Sequence, residues 1–152
     1  MVAQGKNMSK LIDYETDLYT WALHNAQLLR QGRFAELDVE HLAEELEDMG
    51  NNKQELTSRF IVLIGHLLKW EYQPDHRSSS WRGSINEQRI QINSLVRKKP
   101  GLKPYLTIAL ADAYFDAVEL AGDDTGFSQS TFPPSCPYSQ EQLLAKNFYP
   151  EN

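Results

Sequence analysis

One short acidic stretch places several metal-ligand side chains close together. They are Asp38, His41, Glu44, Glu45 and Asp48. Residues three or four positions apart on a helix lie side by side, and histidine and carboxylate groups bind zinc or iron. Asp38 with His41, and His41 with Glu44, imitate the Glu-x-x-His spacing of di-iron bundles. A metal-dependent or hydrolytic enzyme, using His41, His66 and these carboxylates, is therefore one hypothesis.

The angular positions of these groups count against an inward metal site. At 100° per residue, His41, Glu44 and Asp48 point away from the side that carries Leu42 and Leu46. A solvated acidic face is the simpler interpretation, and we expect no bound metal and no cofactor. The sequence contains no GxSxG, HExxH, CxxC or glycine-rich phosphate motif. The single cysteine, Cys136, is best explained as a packed thiol. These features favour binding over catalysis.

Aromatic and basic residues are concentrated in the stretch HLLKWEYQPDHRSSSWRGSINEQR, residues 66–89. Tryptophan, tyrosine and arginine dominate protein-interface hot spots, and guanidinium groups stack on aromatic rings. We therefore predict a docking surface at this turn. Its predicted partner-binding residues are Trp70, Gln73, His76, Arg77, Trp81 and Arg82. In the structural alternative, the aromatics close the end of the core and the cations meet unpaired carbonyl groups at a helix terminus.

Two amide side chains, Asn25 and Gln88, fall within apolar helix faces. Burying an amide without hydrogen-bond partners costs roughly 1–3 kcal/mol, so each amide must find partners. They either fix the register of the helices or line a polar pocket, with His66 as a third lining residue.

The charge of the chain is uneven. The 152 residues carry a net charge of −6, which disfavours non-specific nucleic-acid binding. Residues 36–55 contain eight acidic side chains and one lysine, whereas residues 69–103 contain eight basic side chains and three acids. Nucleic-acid binding through residues 77–103 is therefore a further alternative.

The sequence also indicates a cellular compartment. No apolar run approaches the roughly 20 residues that span a membrane, and the first ten residues do not resemble a secretory signal. One cysteine cannot form an intramolecular disulfide. We expect a cytoplasmic protein that does not enter a membrane.

Apolar residues recur at helical spacing, and no hairpin signal is present. The predicted helices cover residues 14–31, 39–49, 52–73, 80–98 and 104–122, and a short last one lies within 138–148. Asp13 and Asp38 are predicted caps, Gly32 and Gly50 are predicted stops, and Pro74 ends the third helix. The third helix is the most apolar and therefore the central one.

These patterns predict an all-α fold, a single-domain antiparallel helical bundle of four long helices. Residues 39–49 form a short crossing helix, and the C-terminal segment wraps back over the surface. Residues 1–12 are predicted to be a flexible tail, and residues 13–152 form the domain. Two apolar faces are predicted to be buried. The first comprises Tyr14, Leu18, Trp21, Ala22, Leu28 and Leu29, and the second comprises Val39, Leu42, Ala43, Leu46 and Met49.

Several blocks of the sequence resemble a known family. They are YETDLYTWALHNAQLLRQGRFAELD, EHLAEELEDMG, HLLKWEYQP, RSSSWRGSINEQR, PYLTIALADAYFDA and CPYSQEQLL. In this order they resemble the bacterial, mainly cyanobacterial, domain of unknown function family 29. The resemblance covers nearly the whole chain and implies a predominantly helical, prokaryotic protein. It implies no activity, substrate or cofactor.

The residues and the resemblance together predict a non-catalytic cytoplasmic interaction module. Its partner is an unidentified protein or a second copy of the chain. The metal-dependent or hydrolytic enzyme and the nucleic-acid-binding protein stay as alternatives.

Overall fold

A computed structural model describes residues 14–151 of the chain. Within this range there is no β-strand, so the all-α fold class is confirmed. After a helical segment at residues 14–16, the α-helices are α1 Leu18–Arg30, α2 Val39–Tyr72, α3 Ser79–Lys98, α4 Leu106–Thr125 and α5 Gln140–Leu144. Short 3-10 turns lie at Phe34–Glu36, Pro74–His76, Pro100–Tyr105 and Gln129–Thr131.

Local capping chemistry sets most helix ends. The side chain of Ser78 accepts a hydrogen bond from the backbone N–H of Trp81, and Ser139 forms a capping box with Gln142. Asp17 leaves helical geometry and caps α1, so the predicted helix over residues 14–31 is interrupted there. The predicted cap at Asp13 and the predicted tail lie outside the described residues.

The predicted break at Gly50 is wrong, because α2 runs through it as one helix of 34 residues. Gly50 does not adopt the positive φ of a left-handed cap, unlike Gly126, which ends α4 at φ 77°. A glycine inside a helix costs only about 1 kcal/mol relative to alanine, and the helix-forming residues on both sides outweigh that cost. Residues 39–49 are therefore the first turns of a long helix, and the predicted separate crossing helix does not exist.

The chain divides into two compact units, Met1–Met49 and Gly50–Asn152. In the first unit, α1 and the first turns of α2 form an antiparallel hairpin. Tyr14 contacts Glu45, and Trp21 contacts Asp38, so residue numbers rise along one helix as they fall along the other. Gly32, at φ 70°, closes the end of α1.

In the second unit, α3 runs antiparallel to α2. The ammonium group of Lys69 lies over the ring of Trp81, and Arg59 donates a hydrogen bond to Gln88. Contacts between residues 69 and 81 and between residues 59 and 88 require the two helices to run in opposite directions.

The next helix, α4, runs in the same direction as α2. Lys53 lies over the ring of Tyr105 just before α4 begins, and Gly65 lies beside Leu120. A Cβ atom added at Gly65 would approach Cδ2 of Leu120 to 3.1 Å, so glycine allows the close helix approach here. The unit is thus an up-down-up arrangement of three helices.

The core of the second unit centres on α2, as predicted for the most apolar stretch. Six α2 side chains have no exposed surface, namely Leu56, Phe60, Leu63, Ile64, Leu67 and Leu68. The segment after α4 returns over this core with Phe132, Tyr138 and Leu143 buried. It wraps the unit, as predicted.

Within residues 14–151, no helix combines the length and apolar character needed to cross a membrane.

Candidate functional site

The predicted docking surface lies at the corner between α2 and α3, in the second unit. We call its six predicted residues, Trp70, Gln73, His76, Arg77, Trp81 and Arg82, the corner. Trp70 is buried with 7 % of its surface exposed. The guanidinium carbons of Arg77 and Arg82 lie 5.2 and 5.3 Å from the centroid of its ring. Nε of Arg77 donates a 2.8 Å hydrogen bond to the carbonyl oxygen of Trp70, at the negative end of α2.

The C-terminal segment covers part of the corner. The ring of Tyr149 lies 4.7 Å from that of Trp70, and the guanidinium of Arg82 also lies 5.3 Å from the Tyr149 ring. Trp81 is half-buried and contacts Lys69, which pairs with Asp124. Several corner side chains therefore make intramolecular contacts that the structural alternative requires.

Two residues of this region were missed by the sequence reasoning. Arg89 is buried, and its guanidinium donates hydrogen bonds to the carbonyl oxygens of Leu143 at 2.7 Å and Phe148 at 2.8 Å. A signal for it existed, because Arg89 falls between Ile85 and Ile92 on the apolar face of α3. Tyr149 lies outside any periodic pattern, so no local feature of the sequence predicts that its ring packs on Trp70.

Gln73 is half-buried and His76 is exposed. The intramolecular contacts of the six corner residues do not show whether these residues bind a partner, so their docking role stays a prediction.

The residues of the predicted polar pocket each have local partners. Gln88 accepts a hydrogen bond from Arg59, and Nδ1 of His66 donates to the carbonyl oxygen of Val62 at 2.8 Å. Burial lowers the pKa of His66. A polar groove of about 470 Å³ in the second unit is lined by Asn51, Gln54, Glu55, Ser58, Arg59, Val62 and Gln88. Asn25 belongs to the first unit, and a pocket shared by all three residues stays a prediction.

In the first unit, a network of polar and aromatic side chains joins α1 to α2. Nε1 of Trp21 donates to Oδ2 of Asp38 at 2.9 Å, and Nδ1 of His41 lies 2.7 Å from the same oxygen. Asn25, fully buried, donates to the carbonyl oxygen of Trp21 and accepts from the backbone N–H of Asp38. The ring of Tyr14 stacks on His41 at 3.7 Å. We call these five residues the hairpin network.

The network shifts the pKa values of its members. The hydrogen bond to Asp38 raises the pKa of His41. Burial alone would raise the pKa of Asp38, but the hydrogen bonds from His41 and Trp21 lower it. A hydrogen bond to Glu45 raises the pKa of Tyr14 to about 12. The protonated His41 and ionised Asp38 therefore form a pair that stabilises the hairpin.

This geometry corrects the predicted orientation of His41. Its ring faces α1, where it stacks on Tyr14, whereas Glu44 and Asp48 are exposed, as predicted. The physical reason is that Trp21 and Tyr14 supply hydrogen bonds and ring stacking, which an aliphatic side chain of α2 could not accept. Among the described residues, no group of three or more His, Cys, Asp or Glu side chains is placed to hold a metal ion.

The apolar side of the hairpin is exposed, contrary to the predicted burial. The first unit buries only Trp21, Asn25 and Leu28 among its described residues. Five large apolar side chains of the predicted core faces are instead 47–65 % exposed, namely Leu18, Leu29, Val39, Leu46 and Met49. Ala22 and Ala43 are also exposed, and Leu42 is half-buried. Helical periodicity correctly identified these stripes as apolar, but it did not show whether they are buried.

The two exposed stripes lie on the same side of the hairpin. Viewed along α1 from its amino end, successive residues rotate clockwise around the helix axis by 100° each. On this scale Leu18, Ala22 and Leu29 lie about 50–90° clockwise of the buried α1 residues, which face α2. The antiparallel α2 turns the opposite way when seen from the same end. The apolar residues of α2 lie about 50–130° further around that helix than the α2 residues that face α1. Because the rotation is reversed, these apolar residues lie on the same side of the hairpin as Leu18, Ala22 and Leu29.

We call this surface the apolar face. It comprises Leu18, Ala22 and Leu29 of α1 and Val39, Leu42, Leu46 and Met49 of α2. Because both helices contribute neighbouring stripes, the face is continuous across the hairpin.

A family model, domain of unknown function DUF29, matches residues 13–149. The chain belongs to the DUF29 family. The DUF29 match includes the apolar face, the hairpin network and the corner, so all three lie within the family's domain. No curated protein and no solved structure is significantly similar to the chain.

Proposed function

We propose that this DUF29 chain is a non-catalytic protein-interaction module, and that its docking surface is the apolar face of the first unit. The observation that carries the proposal is the exposure of Leu18, Leu29, Val39, Leu46 and Met49 on one side of the hairpin. Together they present roughly 500 Å² of apolar surface, which is comparable to the largest apolar patch on a typical single protein, and such patches are often functional.

The small core of the first unit supports the same proposal. Among the described residues of this unit three side chains are buried, one of them an amide, so the hairpin gains little from its own hydrophobic burial. A partner that covered the apolar face would give this unit the core that it lacks. We therefore expect the hairpin to become more stable on binding.

The corner is a second candidate for the docking surface of the same module. His76 and Arg82 are exposed, and Arg82 is a residue type that is common in interface hot spots. Its contacts with Trp70 and Tyr149 also serve the fold, so we rank the corner below the apolar face. The module is proposed to act in the cytoplasm of a prokaryotic, mainly cyanobacterial, host.

The test compares partner capture by variants of the full chain. A Leu46→Asp, Met49→Asp variant places charge on the apolar face, while Ile108→Asp is the matched control at an exposed position of the second unit. We expect a partner from the native host that binds the parent and the control but not the double variant. If the double variant stays folded and captures the same proteins, the apolar face is not the docking surface.

Two alternative functions have simple tests. A metal-dependent enzyme requires a roughly stoichiometric metal in protein purified without a tag, or a rise in melting temperature on adding Zn²⁺, Mn²⁺ or Fe²⁺. Nucleic-acid binding through residues 77–103 requires retardation of DNA or RNA that weakens steeply with salt. Arg89 is buried, and Arg77 and Arg82 stack on Trp70, so part of this basic region contacts the fold itself.

A further inference from the structure

A cleft with basic walls lies in the second unit, between α3 and the C-terminal segment. Five of its lining residues belong to α3, namely Asn86, Arg89, Ile90, Asn93 and Arg97, and the other two, Leu144 and Lys146, belong to the C-terminal segment. The five α3 residues fall within about 100° of the helix circumference, so they lie on one side of α3. We call this cavity the basic cleft. Its volume of about 320 Å³ is within the range of small-molecule sites, roughly 300–1,000 Å³.

The lining of the basic cleft is positively charged. Arg89, Arg97 and Lys146 are cationic, and no acidic side chain is among the described residues that line the cleft. The whole chain has a net charge of −6, so this concentration of positive charge is local. Three like charges around one cavity repel one another, and an anion between them would replace that repulsion with attraction.

Arg89 is a fixed part of the cleft. It is 3 % exposed, and its guanidinium donates hydrogen bonds to four backbone carbonyl oxygens within residues 142–148. Carbonyl oxygens accept its N–H groups but carry no net charge, and none of the described carboxylates pairs with Arg89. Burial lowers its pKa, but an arginine side chain remains protonated at neutral pH. Its positive charge therefore contributes to the field inside the cleft.

Arg97 and Lys146 are the cations that a ligand can reach. Both residues are exposed. In the part of the chain that the structure describes, their side chains form neither a hydrogen bond nor an ion pair. A ligand therefore displaces only water from them, whereas Arg77 and Arg82 already stack on Trp70.

A phosphate monoester matches this lining better than a carboxylate does. It carries a charge of about −1.5 to −2 at pH 7 and three terminal oxygens, whereas a carboxylate carries one charge and two oxygens. Two exposed cations suit the larger charge, because the guanidinium fork of Arg97 forms bidentate hydrogen bonds and Lys146 acts as a point charge. The side-chain amides of Asn86 and Asn93 supply further N–H donors at the same cleft.

The aliphatic part of the lining indicates that the ligand also has an apolar portion. Ile90 is 65 % exposed and Leu144 is half-buried, and both line the cleft beside the cations. An apolar group that covers these side chains gains free energy from the area removed from water. Inorganic phosphate would leave that surface unused.

We propose that the basic cleft binds a small organic phosphate monoester, with its phosphate group at Arg97, Lys146 and the two asparagine amides and its apolar portion on Ile90 and Leu144. This site lies in the second unit and does not depend on the docking function proposed for the apolar face.

The experiment uses amide NMR spectra of the full chain, which report both binding and whether each variant is folded. The probes are phenyl phosphate, inorganic phosphate, benzoate and a short oligothymidylate. The variants are Arg97→Gln with Lys146→Gln, Ile90→Ser, and the control pair Lys98→Gln with Lys103→Gln. The control pair removes the same charge from exposed lysines that do not line the cleft.

Phenyl phosphate is expected to shift the amide signals of residues 86–97 and 144–146 and to bind more tightly than the other probes. Arg97→Gln with Lys146→Gln is expected to weaken its binding roughly tenfold, because two charge-assisted contacts are lost. Ile90→Ser is expected to weaken it roughly threefold to tenfold and to leave inorganic phosphate unchanged, since only the phenyl ring contacts Ile90. The control pair is expected to bind like the parent.

Other outcomes overturn the proposal in distinguishable ways. Equal weakening by the control pair means that net charge, rather than the cleft, attracts the anion. Benzoate that binds as tightly as phenyl phosphate makes the ligand a carboxylate, and inorganic phosphate that binds as tightly removes the apolar portion. Tighter binding of the oligothymidylate makes the cleft a nucleic-acid contact. If no probe shifts the signals of the cleft residues in the folded chain, the cleft is not an anion site.

Discussion

The indole Nε1 of Trp21 donates a 2.9 Å hydrogen bond to Oδ2 of Asp38, and this bond joins the first turn of α1 to the residue that precedes α2. The same carboxylate oxygen lies 2.7 Å from Nδ1 of His41. One carboxylate oxygen therefore contacts side chains of both helices of the hairpin. Stability of the first unit depends on polar geometry more than on hydrophobic burial.

Asp38→Asn is expected to destabilise the hairpin by about 1–3 kcal/mol. The amide cannot carry the charge that pairs with His41, and it accepts only through one oxygen. Hydrogen exchange, measured on peptides from residues 18–49, should show faster exchange there. Asp112→Asn, at an exposed position of α4, is the control. Uniformly unchanged exchange in Asp38→Asn would mean that the network does not stabilise the first unit.

The first unit is expected to lose protection as the pH rises above about 6.5. The pKa of His41 is raised in the folded protein, because the protonated ring donates to Asp38. Its stabilisation is therefore complete below the unfolded pKa of about 6.5 and is lost as the pH rises through the higher folded pKa. The lowered pKa of Asp38 has the opposite sign, but it acts only in more acidic solution.

The measurement for this prediction must resolve the two units. Burial lowers the pKa of His66, so the second unit loses stability as the pH falls below about 6.5, which is the reverse of His41. Hydrogen exchange corrected for the intrinsic pH dependence separates residues 18–49 from the rest. His41→Gln should flatten the profile of the first unit and leave the second unit unchanged. A flat profile in the parent protein would refute the role of the imidazolium.

Gly50→Ala is expected to stabilise the protein by about 1 kcal/mol. Gly50 is helical, and a Cβ atom there would meet no atom within 4 Å. Gly126→Ala is the matched contrast, because its φ of 77° strains any side chain and costs about 1–2 kcal/mol. Denaturant unfolding measures both variants. Destabilisation by Gly50→Ala would show that a bend at this residue is needed.

The caps and breaks were readable from the sequence because they depend on neighbours in the chain. Ser78, Pro74 and Ser139 act on backbone groups within a few residues of themselves, so their types and spacing suffice. The predicted helix end at Gly50 was wrong because glycine permits a left-handed cap without requiring one. The residues that follow Gly50 favour a continuous helix, and this preference is the sum of small contributions from many positions. No single residue reveals it.

The functional surfaces were less readable because burial depends on distant contacts. Helical periodicity identifies an apolar stripe with Leu18 and Leu29 on α1 and another with Leu46 on α2. The same periodicity occurs whether a stripe is buried in the core or exposed for a partner, so it does not distinguish the two. The predicted orientation of His41 was also wrong, because helical periodicity does not reveal that Trp21 and His41 share the carboxylate of Asp38. Arg89 was overlooked among the charges, although a cation between Ile85 and Ile92 indicates a buried role.

His76→Ala with Arg82→Ala is expected to leave the chain folded, with a loss of less than about 1 kcal/mol from the stacking of Arg82 on Trp70 and Tyr149. Trp81→Ala should cost more, because Trp81 is half-buried. Thermal unfolding measures the stability, and partner capture measures binding. Loss of a partner in the folded double variant would assign docking to the corner, and unchanged capture would leave the corner a purely structural element.

Arg89→Met is expected to destabilise the second unit by about 2–5 kcal/mol and to release the C-terminal segment. The buried guanidinium donates to the carbonyl oxygens of Leu143 and Phe148, and methionine fills similar space but leaves those oxygens without a donor. Thermal unfolding measures the loss, and cleavage by trypsin after Lys146 reports release of the segment. Arg97→Met, at an exposed position of the same helix, is the control. If Arg89→Met melted like the parent and resisted trypsin equally, packing of Leu143 and Tyr149 would hold the segment, and the guanidinium would be dispensable.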